Sequence, residues 1–111
     1  QQYIDLLVDT KNWEQAMRSV VDALSLFPES RRLFAKAVAI AQREEGRLLL
    51  HDWYTIFPEH TKVLMIIGYC EVLQGRPVDA MNKFREAEQL GESSTLFRLL
   101  KEQVRSLINQ D

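Results

Sequence analysis

The spacing of three segments predicts that this chain folds as a stack of similar helical units. Each segment repeats steps of four, three and five residues, as in Ala16, Val20, Ala23 and Pro28. The two other sets are Gly46, Leu50, Trp53 and Pro58, followed by Ala80, Phe84, Ala87 and Glu92. Steps of four and three place side chains on one face of a helix, and a small residue lets a neighbouring helix approach closely. We therefore expect an all-α stack of antiparallel helix pairs.

Composition and charge indicate what kind of protein this is and which partners it is not expected to bind. The chain has 111 residues, of which 46% are hydrophobic and 27% are charged, as in an ordinary globular protein with one core. Its net charge is −2 and the basic residues are dispersed, so nucleic acid is not an expected partner. The longest apolar stretch, residues 63–69, is too short for a bilayer, and we expect no membrane insertion. The single cysteine, Cys70, suits a reducing compartment, which favours a cytoplasmic location.

Proline, glycine and capping residues divide the chain into about seven predicted helices. These span about residues 2–9, 13–27, 31–43, 47–57, 61–73, 77–90 and 95–109. Asn12 and either Ser93 or Ser94 are candidate N-caps, Gly75 is a candidate C-terminal cap, and residues 44–46 are predicted to form a tight turn. No run alternates with period two, so no strand is predicted.

We expect these helices to form a single domain over residues 1–111. A first pair covers residues 1–28, a shortened second pair covers 29–58, a third pair covers 59–92, and a capping helix covers 93–111. Stacked units of this kind bury a continuous core, and their terminal helices shield its ends.

Residues 61–94 resemble a tetratricopeptide repeat (TPR), a two-helix pattern of about 34 residues. The matching residues are Leu64, Ile67, Gly68, Gly75, Ala80, Phe84 and Ala87. Glu71 and Glu92 stand where the pattern prefers tyrosine and proline. Two degraded copies end at Pro28 and Pro58, and the second of them is four residues short. The resemblance implies a right-handed superhelix of about three repeats with a capping helix.

No constellation of residues points to catalysis. The only histidines, His51 and His60, are nine residues apart on either side of Pro58, so they do not share a helical face. Cys70 has no histidine at a spacing that would supply a base. We expect no enzyme activity, cofactor or metal, and an enzyme using His51 and Asp52 is the alternative from that class.

The TPR resemblance implies a concave groove lined by the first helix of each pair. The second, fifth, ninth and twelfth helical positions commonly face a bound segment in this family. In this chain they are Arg32, Ala35, Ala39 and Gln42, with Arg43 beside them, then Lys62, Met65, Tyr69 and Val72, and finally Asp5 and Val8 at the start of the chain. The groove is rather apolar and lacks the Lys, Asn, Asn set with which family members clamp a terminal carboxylate.

Small and adaptable side chains in the groove favour an amphipathic helix or peptide of a partner protein, bound by a chaperone or adaptor. The same positions would equally pack the first predicted helix of this chain or a neighbouring repeat of a longer array. A structural or oligomerising segment of a larger scaffold is therefore an alternative, with Phe97, Leu99 and Val104 as its interface. A small TPR chaperone of bacterial type III secretion is a narrower version of the first hypothesis.

Overall fold

The computed structural model describes residues 12–109, which form six α-helices and no strand. In chain order these are α1 (Trp13–Leu26), α2 (Arg31–Ala41), α3 (Glu44–Ile56), α4 (Thr61–Leu73), α5 (Pro77–Gln89) and α6 (Thr95–Ile108). The all-α prediction is confirmed for this part of the chain. The structure thus has six helices where about seven were expected, and the remaining one, at residues 2–9 with Asp5 and Val8, lies outside the described residues.

Three of the predicted capping residues lie at helix ends in the structure. The Asn12 side chain accepts a hydrogen bond from the Gln15 N–H at 3.5 Å and begins α1. Ser94 accepts from the Phe97 N–H at 3.2 Å and begins α6. Gly75 has a φ of 78° and follows α4, a conformation that residues with a Cβ rarely adopt. These ends follow from neighbouring residues alone, which is why the sequence predicts them well.

The predicted turn at residues 44–46 is wrong, because α3 begins at Glu44. Arg43 is extended, with φ −79° and ψ 146°, and Glu44 and Glu45 occupy the first turn, where negative charge is favoured by the helix dipole. Gly46 is buried, and a Cβ at that position would lie only 2.2 Å from the Ile40 carbonyl oxygen. The shortened second pair is therefore joined by only two non-helical residues, 42 and 43.

Helix α4 is the centre of the core. It packs against all five other helices, and seven consecutive residues, 62–68, are buried. A helix that is apolar on every side is one that neighbours surround. The rings of Phe84 and Phe97, with centroids 5.8 Å apart, join α5 to α6 beside it.

The helices form a layered and elongated arrangement. Consecutive helices pack together along the chain, and α1 also packs on α3, α2 on α4, and α4 on α6. The described part measures 42 × 26 × 25 Å. This layering is compatible with a helical repeat protein, and the TPR superhelix stays a prediction. None of the helices in residues 12–109 combines the length and the apolar character needed to cross a membrane.

Candidate functional site

An open groove with a volume of about 360 Å³ lies between α2 and α6. Its α2 side is formed by Arg31, Phe34, Ala35 and Val38. Its α6 side is formed by Leu96, Leu99, Leu100 and Gln103. Tyr69 of α4 lies between the two helices and completes the lining.

The groove has a buried apolar floor and exposed edges. Phe34, Val38, Leu96 and Leu100 are buried and form the floor, and the Phe34 ring packs edge-on against Tyr69 with centroids 5.5 Å apart. Ala35 is exposed on one edge, and Leu99 is 41% exposed on the other. An apolar surface that stays open to solvent between two helices can accept a third apolar surface.

Glu29 holds the two sides of the groove together at one end. This residue precedes α2, and its carboxylate oxygens accept hydrogen bonds from the Thr95 and Leu96 N–H groups of α6, both at 2.8 Å. Those two bonds lower the pKa of the Glu29 carboxyl below its ordinary value. The N-terminal ends of α2 and α6 are therefore tied to each other by a side chain rather than by packing alone.

A buried ion pair fixes the segment that leads into α6. The Lys62 Nζ lies 2.9 Å from the Glu92 Oε1, and their side chains are only 11% and 6% exposed. Burial raises the pKa of the Glu92 carboxyl, but hydrogen bonds from Lys62, Thr61 and Ser94 outweigh it, so the pKa is lowered. The position where the TPR pattern prefers proline thus carries a charged partner for Lys62.

Some of the predicted groove residues come together in the structure. Ala35 and Tyr69 line the groove, and Arg32 is exposed next to the lining residue Arg31. Ala39 is exposed outside the lining, and Val72 is half-buried.

The other predicted groove residues do not face it. Lys62 is held by Glu92, and Met65 is 1% exposed in the core because α4 is covered on all sides. Gln42 donates a hydrogen bond to the Cys70 Sγ at 3.9 Å. The Arg43 guanidinium lies over the Trp13 ring, 5.2 Å from its centroid.

Sequence reasoning missed the contribution of α6. When the second, fifth and ninth positions are counted from Thr95, they are Leu96, Leu99 and Gln103, and all three line the groove. The same positional rule therefore identifies the α6 residues of the groove when it is applied to the last helix as well. Phe97 and Val104, which the alternative hypothesis named as an oligomer interface together with Leu99, are each 1% exposed and belong to the core, so that part of the alternative is corrected.

A second, polar cavity with a volume of about 180 Å³ lies among α3, α4 and α5. Glu71, at the position where the TPR pattern prefers tyrosine, lines it, and its Oε1 has no hydrogen-bond partner and lies 4.0 Å from the Lys83 Nζ. Burial raises the pKa of the Glu71 carboxyl. Lys83 also lies over the Tyr54 ring, 5.5 Å from its centroid, and the Tyr54 hydroxyl donates to Glu86 at 3.1 Å.

His51 and Cys70 both line the polar cavity, which sequence spacing had not predicted. Burial, assisted by the Glu71 carboxylate, raises the pKa of the Cys70 thiol to about 11. At neutral pH this sulfur is a thiol, whereas a nucleophilic cysteine needs the thiolate. His60 lies apart, against α1 and α3 residues. In residues 12–109 no three His, Cys, Asp or Glu side chains are grouped as metal ligands.

No protein-family model matches this chain, and neither a curated protein nor a solved structure matches it. The resemblance to TPR repeats therefore depends on the residues quoted above, together with a layered helical fold that is compatible with it.

Proposed function

We propose that this protein is a non-catalytic interaction module that binds an amphipathic helix of a partner protein between α2 and α6. The observation that carries this proposal is the apolar floor of Phe34, Val38, Leu96 and Leu100, which stays open between two helices of similar length. An amphipathic helix presents apolar side chains at intervals of three and four residues, and these would seat on that floor. The small side chain of Ala35 leaves room for close approach of a third helix.

The groove is also built to keep its shape before a partner arrives. Glu29 ties the helix ends, and the Lys62–Glu92 pair fixes the chain that enters α6. A surface that is already ordered loses less conformational entropy on binding, which favours affinity. This arrangement supports a binding role more than a role that needs opening or closing.

The experiment is a selection from a library of displayed amphipathic helices of about 18 residues, a length at which a peptide can form a helix on its own. Leucines are fixed along one face, and the flanking positions vary among Glu, Gln and Lys. The wild-type protein is compared with Leu99→Gln, which changes an exposed groove edge, and with Leu48→Gln, which changes an exposed leucine on α3.

Peptides bound in the groove lose about tenfold in affinity for Leu99→Gln, because they lose an apolar contact that binding buries, and bind Leu48→Gln as they bind the wild type. Recovered peptides that bind all three proteins equally would contradict the proposal. Circular dichroism shows whether both variants keep the wild-type fold.

A structural segment of a larger assembly is the second candidate, and a specific feature favours it. The turns after α1 and α3 are alike, since Ser30 N–H donates to Phe27 O and His60 N–H donates to Phe57 O, both at 3.1 Å. Each turn exposes two large apolar side chains, which are Leu26 with Phe27 and Ile56 with Phe57. Exposed apolar surface of this kind is typical of contacts with another chain. Sedimentation equilibrium distinguishes the two candidates: self-association that Phe27→Ser and Phe57→Ser abolish would favour the assembly.

A further inference from the structure

The α2 edge of the groove is basic. Arg31 lines the groove, Arg32 follows it, and α2 contains no aspartate or glutamate between Arg31 and Ala41. On the other side, Arg98 is exposed next to the lining residue Leu99. Since Glu29 joins the start of α2 to the start of α6, these arginines lie near the same end of the groove.

Three acidic residues of the described chain, on α6 or in the segments before α2 and α6, are already engaged in contacts. Glu29 accepts hydrogen bonds from the α6 backbone, Glu92 is paired with Lys62, and Glu102 lies 3.5 Å from Arg105 on its own helix. By contrast, no ion pair within residues 12–109 involves Arg31, Arg32 or Arg98. The end of the groove near Glu29 therefore presents guanidinium groups that have no ion-pair partner among residues 12–109.

We propose that the groove selects amphipathic helices that carry Asp or Glu beside the apolar face, at the end that lies over Arg31 and Arg98. This inference rests on the binding function proposed above and specifies the chemistry of the partner. A guanidinium binds a carboxylate through two parallel hydrogen bonds, so arginine at the rim recognises acidic side chains in a defined orientation. Charges at the rim of an interface act mainly on association rate and on the choice of partner, while the apolar floor supplies affinity.

The test uses the peptides recovered from the same helical library. We call a peptide Leu99-dependent when it loses affinity for the Leu99→Gln variant. Among these peptides, the frequency of Glu at the flanking positions is compared with the frequency of Lys. Their affinities are then measured for the wild type, for Arg31→Glu, and for Arg85→Glu, an exposed arginine on α5 away from the groove. A matched peptide with each flanking Glu changed to Lys is measured against the same three proteins.

The expected result is an excess of Glu over Lys among the Leu99-dependent peptides. These peptides bind Arg31→Glu about tenfold more weakly and bind Arg85→Glu as they bind the wild type, and the Lys peptide prefers Arg31→Glu. Leu99-dependent peptides without a charge preference, or with a preference for Lys, would overturn this inference and leave the groove function standing. Failure to recover any Leu99-dependent peptide would instead contradict the proposed function itself.

Discussion

Gly46 is the residue on which the shortened second helix pair depends. Its missing side chain lets α3 start against the backbone of α2, where a Cβ would lie 2.2 Å from the Ile40 carbonyl oxygen. The equivalent positions Ala16 and Ala80 are both fully buried. The repeated small residue in the sequence therefore marks buried positions in all three units, and Gly46 has the tightest contact that the structure gives for a glycine.

We predict that Gly46→Ala lowers the free energy of unfolding by about 1 to 3 kcal/mol, because the added methyl group forces α2 and α3 apart. Gly68→Ala is the matched control, since a Cβ there would lie 3.3 Å from the Lys83 Cβ and needs only a small shift. Urea denaturation measures both. Equal stability of the two variants would mean that the α2–α3 approach is looser than described.

The environment of the Glu71 side chain destabilises its charged form, because burial removes the carboxylate from water and raises its pKa. A carboxyl with a raised pKa in the fold binds its proton more tightly there than in the unfolded chain. Its protonation therefore stabilises the fold at low pH, and that contribution is lost as the pH rises through the folded pKa.

We predict that Glu71→Gln, which keeps the shape and removes the charge, has a higher melting temperature than the wild type at neutral pH. The difference should shrink in acid, where the wild-type side chain is protonated. Asp52→Asn, at an exposed position of α3 beyond its first turn, serves as the control for a general charge effect. A lower melting temperature for Glu71→Gln at neutral pH would show that attraction to Lys83 outweighs the cost of burial.

Two carboxylates hold helix α6 in place. One belongs to Glu29, which precedes α2, and the other to Glu92, which lies between α5 and α6. Glu29 caps its first turn, and Glu92 pairs with Lys62 of α4. The pKa values of both carboxyls are lowered in the fold below the ordinary value of 4.5. Groups with a lowered folded pKa stabilise the protein above the unfolded value, and this stabilisation is lost as the pH falls through the folded value.

We therefore predict that the free energy of unfolding falls as the pH is lowered from neutral to about pH 3. Glu92→Gln should lose about 1 to 3 kcal/mol at neutral pH, because it leaves the buried Lys62 without a charged acceptor, and should depend less on acid than the wild type. Denaturant unfolding at the two pH values measures this. An acid dependence that is the same in Glu92→Gln and in the wild type would contradict the role given to the ion pair.

The contact between α4 and α5 gives a prediction about the best-matched repeat. Ala80 is fully buried, and its carbonyl oxygen would lie 3.4 Å from a Cβ at Gly68. Ala80→Leu should overpack this contact and destabilise the protein by about 1 to 3 kcal/mol. Val78→Leu, at an exposed position of the same helix, should change the melting temperature little. An unchanged melting temperature for Ala80→Leu would contradict the alignment that places Ala80 at the small-residue position of the TPR pattern.

Viewed along the whole chain, the sequence predicts features that neighbouring residues determine. The helix starts at Asn12 and Ser94 and the glycine after α4 follow from capping chemistry within a few residues. The start of α3 was missed because Glu44, Glu45 and Gly46 have turn-like composition, whereas the backbone of α2 decides that they are helical. Local signals thus give the number and order of the described helices better than their exact junctions.

The candidate groove was predicted only in part, because exposure is a tertiary property. Ala35 and Tyr69 follow from the helical register that the TPR resemblance implies. Lys62 and Met65 have the same register, but α6 and the other helices around α4 cover that helix, so neither side chain faces the groove. The unbroken apolar run after Lys62 was the available sign that α4 lies at the centre.

The most direct measurement of the groove's role is an amide chemical-shift titration of the isotope-labelled protein with a Leu99-dependent peptide from the selection. We predict that the largest shifts fall on both sides of the groove, at Ala35, Val38, Tyr69, Leu99 and Gln103. Shifts confined to the turns that carry Phe27 and Phe57, or to the polar cavity around Glu71, would contradict binding between α2 and α6.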